Sequence, residues 1–169
     1  MKNKIVLTVL LSFLVIGFYI YKNKKSINQI ATINDSFSEK ESIENYLNKN
    51  ILKPEFGGKV FCSFYKYGSS ENENKIDYYL WAYCEEYYKS NEEIKMGSGV
   101  SIPVKLNAII NNNQMEIIDF EQPIDGEGYP KSIKDMFPEE YEKEAINGFD
   151  INKFTENPKT KAYEFYKTD

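Results

Sequence analysis

Cys62 and Cys84, the adjacent acids Glu85 and Glu86, the triplet Gly97-Ser98-Gly99 and the stretch Asp125-Gly126-Glu127-Gly128 are the positions where residue type and spacing could support chemistry. Two cysteines permit one disulfide in an exported chain. They lack the C-x-x-C spacing of a redox-catalytic pair. Glu85 and Glu86 point to opposite faces of a regular strand, so they cannot serve together as acid and base. The Gly-Ser-Gly triplet is not followed by the Gly-Lys-Ser/Thr of a phosphate cradle, nor is it a nucleophile elbow. It reads as a turn into the next strand. Asp125 and Glu127 fall far short of a calcium-binding loop and read as a tight turn. The chain has no His, and its 21 basic residues are all Lys. Ser-His-Asp and Cys-His catalysis, His-containing metal sites and bidentate guanidinium recognition are thereby excluded. No catalytic residue, cofactor motif or metal-ligand set emerges.

The cysteines need strands to bring them together. Lys59 to Tyr67 and Ile76 to Tyr88 are rich in aromatic residues and predict two strands around a polar loop, Gly68 to Lys75. A hairpin centred on Glu73 sets Cys62 directly opposite Cys84, close enough for a bridge. The alternative is two small buried apolar side chains on one face. Strand parity then sorts the remaining side chains. Val60, Cys62, Phe64, Tyr78, Leu80, Ala82 and Cys84 form an aliphatic face suited to a core. Tyr65, Tyr67, Tyr79, Trp81 and Tyr83 lie on the other, with Phe61 and Tyr87. That aromatic face is either a ligand or partner surface or a second core layer covered by C-terminal helices.

The flanking elements complete an α+β layout. Ser38 with Glu41 is a capping-box signature, and Ile43, Tyr46, Leu47 and Ile51 recur at helical spacing. Val100 to Ala108 alternate as a strand in which Pro103 marks an edge or bulge. Asn111-Asn112-Asn113 makes a turn, and Met115 to Phe120 a fourth strand. Short helices are predicted around Ser132 to Met136 and Glu139 to Asn147, stopped by Gly148, before a polar tail. The expected fold is an N-terminal transmembrane helix, then one helix packed on a four-stranded antiparallel meander, with short C-terminal helices.

Residues Ile5 to Tyr21 form a 17-residue run without a charge, flanked by Lys on both sides. At about 25 Å as a helix it reaches the low end of a membrane span. It ends in Tyr-Lys-Asn-Lys-Lys, a poor cleavage site, so it reads as a signal anchor, with a secreted form after cleavage as the alternative. The expected organisation is anchor 1–25, linker 26–36 and one extracytoplasmic domain 37–169. Five Lys and no acid lie in the first 25 residues, which leaves 16 Lys against 26 acids in the remainder. A body this acidic is repelled by nucleic acid.

The stretches Tyr79 to Tyr88, Gly97 to Val104 and Pro123 to Glu140 resemble a group of small, N-terminally anchored or exported proteins of Gram-positive bacteria. The resemblance spans roughly Leu47 to Glu140. It implies an extracytoplasmic accessory domain and brings no catalytic residues with it. The anchor, the acidic body and the aromatic strand face give the expected function, a membrane-tethered domain that binds a protein partner, a cell-wall component or a small ligand. The alternatives are a cell-envelope hydrolase acting through carboxylates and a structural accessory subunit of a membrane complex.

Overall fold

A computed structural model of the chain describes residues 39–112, 114–154 and 156–168. The anchor segment Ile5 to Tyr21 lies outside them. Among the described residues no helix is long and apolar enough to cross a membrane.

The first helix, α1, covers residues 39–50. Its apolar stripe lies on the sheet: Ile43 and Leu47 are fully buried, and Tyr46 and the following Ile51 pack at the margin. Four antiparallel strands follow, β1 (Lys59–Asn72), β2 (Lys75–Ser90), β3 (Glu93–Asn111) and β4 (Gln114–Glu121), side by side in chain order. Helices α2 (Tyr129–Met136), α3 (Glu139–Asn147) and α4 (Pro158–Thr168) complete the described fold. Gly148 ends α3 with a φ of 83°, a conformation that favours glycine. The α+β layout with a four-stranded meander is as expected.

The strands outrun their predicted ends. Gly68 to Lys75, expected as a loop, is almost entirely strand, and the chain reverses only at Glu73-Asn74, where Glu73 has a φ of 55°. Gly97-Ser98-Gly99 is not a turn but the interior of β3. The reversal comes earlier, at Asn91 and Glu92, both with positive φ. In the β1 extension, Gly68 to Asn72, the ladder persists while glycine and polar side chains carry no hydrophobic period; in the β3 extension, Ile94 packs beside Phe61 and Tyr87.

Cys62 and Cys84 are direct partners across β1 and β2, with Cα atoms 4.1 Å apart and sulfurs at bonding distance, 2.08 Å. Their register depends on a bulge. From the turn to Gly68 the two strands pair in one register. Beyond Lys66 the register shifts by one residue, with Tyr67 as the extra one. Without it Cys62 would face Glu85. Gly68, beside the bulge, leaves room for the Tyr141 ring of α3, since a Cβ there would sit 2.1 Å from the Tyr141 hydroxyl. On the outer edge of β1, the Cys62 N–H donates to Asn48 Oδ1 (2.6 Å), and its carbonyl accepts from Lys161 Nζ (2.8 Å). Lys161 also pairs with Glu44 of α1 at 2.8 Å. The edge is closed at that point to other strands. Pro103 sits where β3 extends past its last β4 partner, Lys105, so β3 is locally the edge that proline tolerates.

The sheet is covered on both faces. One carries the expected aliphatic core under α1, centred on Leu80, Ala82, Val104, Leu106 and the cysteine pair. On the other, α2 and α3 bring Ile133, Phe137 and Ala145 onto Tyr79, and α4 brings Ala162 onto Phe61 and Tyr87. Between them, Phe149 packs near Tyr65 and Trp81, and Phe154 stacks on Tyr83. Trp81 is 6 % exposed, and its Nε1–H donates to Ser101 Oγ at 2.9 Å. Trp81→Ala should therefore cost about 3–5 kcal/mol in urea unfolding. Tyr67 gives the opposite expectation. Its hydroxyl is buried without a hydrogen-bond partner among the described residues, so Tyr67→Phe should leave stability unchanged or slightly raised in the same measurement.

Candidate functional site

The aromatic face divides into covered and open parts. Of its five residues, Tyr79 and Trp81 are buried, Tyr67 is half-buried beneath α3, and Tyr65 is 39 % exposed beside Phe149. The helical cover that stood as the alternative describes Tyr79. Tyr83 lies at the open end. There the sheet, the turn Ile151–Lys153 and α4 enclose a cavity of about 450 Å³.

The floor of this cavity comes from one strand. Tyr83, Glu85 and Tyr87 are spaced by two along β2 and so share a face. Glu85 is 6 % exposed. Its Oε1 accepts a short hydrogen bond from the Tyr83 hydroxyl, and its Oε2 accepts one from the Tyr87 hydroxyl at 2.6 Å. Burial, then the hydrogen bond and charge of Glu85, push both phenols well above their ordinary range. Opposite Glu85 on β3 is Gly99, where even a Cβ would touch the Glu85 stem at 3.6 Å. Phe154 and Tyr163 contribute aromatic walls, and Lys159, Asn152 and Asn157 contribute polar groups. Met96, Ile151 and Tyr163, which also line the cavity, are 54 %, 38 % and 37 % exposed. Such a grouping of exposed apolar side chains around a concavity is a recurrent mark of binding.

The neighbouring acid does something else. Glu86 faces the α1 side and is fully buried. It accepts from the backbone N–H groups of Glu55 (2.9 Å), Phe56 (2.9 Å) and Gly58 (2.8 Å), and from Ser98 Oγ (2.9 Å). The segment between α1 and β1 thus wraps around a carboxylate, with Gly57 in left-handed backbone at φ 73°. Across the ladder, the β2–β3 register shifts at Glu86, which sets Gly97 and Ser98 against it. A Cβ on Gly97 would come within 2.8 Å of Glu86 Oε2. Burial pushes the Glu86 carboxyl up, but its four donors outweigh burial and bring it down to about 2.

Glu85 and Glu86 do turn to opposite faces, as strand parity required. That both are buried was not foreseen. The signal was present: parity sets Glu85 between two tyrosines, and Glu86 in line with the cysteines. Among the described residues no cluster of His, Cys, Asp or Glu could hold a metal ion. Comparison with protein-family models, curated proteins and solved structures finds no match for the chain.

Glu86 carries a pH signature. Its folded value near 2 lies below the ordinary 4.5. It therefore stabilises the fold fully above pH 4.5, and this contribution is lost as pH falls from 4.5 towards 2. Glu86→Gln turns amide hydrogens towards backbone donors and should cost about 1–3 kcal/mol at pH 7. The gap between wild type and variant in urea unfolding should narrow progressively between pH 4.5 and 3.

Proposed function

We propose that the chain is a membrane-tethered extracytoplasmic domain that takes a small ligand, or an exposed group of a larger partner, into the cavity floored by Glu85. The observation that carries this reading is a buried carboxylate, held by two tyrosine hydroxyls, at the foot of an aromatic cavity with exposed apolar residues around it. The tethering rests on the uncharged run Ile5 to Tyr21 and its Lys flanks, the location on the acidic body and the cysteine pair. The aromatic surface expected from the sequence contributes Tyr83 to this site. A carboxylate hydrolase needs a second acid facing the first. Glu86 is turned away, and Glu85 is the one acid among the described residues lining the cavity.

Protease shaving of intact cells should remove the domain, with the anchor left in the membrane fraction. Protein from its native compartment should show no free thiol under denaturing, non-reducing conditions. A trimmed soluble product would favour the secreted form, and a protected domain would reverse the orientation. Tyr163→Ala tests the site itself. That residue is 37 % exposed, so its loss should barely move the melting temperature while weakening retention on isolated cell envelopes by about tenfold.

A further inference from the structure

The cavity floor is built of hydrogen-bond acceptors. A phenol has one proton to give, and Tyr83 and Tyr87 both give theirs to Glu85. What the three side chains have left for a ligand is oxygen lone pairs. Glu85 is also a buried acid that forms no ion pair among the described residues. A buried carboxylate lacking a counter-charge is costly, and two neutral hydroxyls meet only part of that cost. The aromatic walls favour a cation as well, because ring faces are negative. One wall ring already holds an ammonium of the chain itself: Lys159 Nζ lies 5.8 Å from the Tyr163 centroid.

We infer that the cavity binds a primary ammonium group carried on a short apolar chain. Three N–H donors match a floor of acceptors, whereas a quaternary ammonium has none to offer and a carboxylate or phosphate is repelled by Glu85 and finds no donor on the floor. The apolar chain suits Met96 and Ile151 at the cavity's exposed margin. The inference deepens the binding reading given above and rests on it.

Met96 supplies a local probe. Met115 and Met136, the other methionines among the described residues, do not line the cavity. The full chain in detergent, labelled with ¹³C at the methionine methyls, would be titrated with n-butylammonium chloride, tetramethylammonium chloride and n-butanol at constant ionic strength. Butylammonium should shift the Met96 methyl saturably and leave Met115 and Met136 in place, with the other two probes binding at least about tenfold more weakly. Glu85→Gln should weaken butylammonium by about tenfold or more, with unchanged Met115 and Met136 signals reporting an intact fold. Equal saturation by butanol, or tighter binding of tetramethylammonium, would overturn the primary-ammonium inference while leaving the cavity as a binding site. A Met96 signal that no probe moves would overturn both. The comparison among probes uses the unaltered protein and holds even if the Glu85 variant does not fold.

Discussion

Every residue of β2 from Tyr78 to Tyr87 is buried except Tyr83, and successive side chains leave the strand on opposite faces. The strand therefore belongs to two cores at once. Its even-numbered residues pack under α1, and its odd-numbered residues under the C-terminal helices and the Phe149–Phe154 segment. A slip of one residue would exchange the two sets and drive Glu86 into the aromatic layer. The cysteine pair, the bulge at Tyr67 and the cap on the edge of β1 all oppose such a slip. The first ties β2 to β1, the second sets the offset at which that tie is possible, and the third keeps β1 from adding another strand.

The bulge joins the register to the second core layer. By adding Tyr67 to β1 it returns Cys62 to Cys84, and the next residue must be small enough to accept the ring of Tyr141. Packing of α3 and cross-strand register are therefore coupled through Gly68. A side chain at that position would press on the helix and on the strand pairing together.

Much of this was legible in the sequence. Period two gave the faces of β1 and β2, period 3.6 gave the buried stripe of α1, and Gly148 marked the end of α3. The pairing of the cysteines was reached from a hairpin centred on Glu73. The actual centre lies between Glu73 and Asn74, and the bulge supplies the missing offset, which no local pattern announces. The β1 extension, Gly68 to Asn72, was illegible because glycine and polar side chains give it no hydrophobic period; the backbone ladder and the contact between the Ser70 and Tyr79 hydroxyls hold it. Gly97-Ser98-Gly99 was misread for a related reason. Glycine signals a turn when the chain must reverse, but here it makes room for a carboxylate on the neighbouring strand.

The two glutamates show why an acidic pair is read through its donors. Glu86 is held by backbone N–H groups and a serine, groups whose positions are set by the chain path. Such donors meet the charge of the carboxylate within the fold, and the carboxylate in turn satisfies backbone N–H groups of the segment between α1 and β1. Glu85 is held by two phenol hydroxyls, which rotate, and which keep lone pairs free after donating. The first arrangement consumes the acceptor capacity of the carboxylate inside the fold. The second leaves oxygen lone pairs at the cavity floor. Adjacent residues of one strand thus serve different ends because β2 sends them to different layers, one made of backbone turning around a charge and the other of aromatic rings standing open beside it.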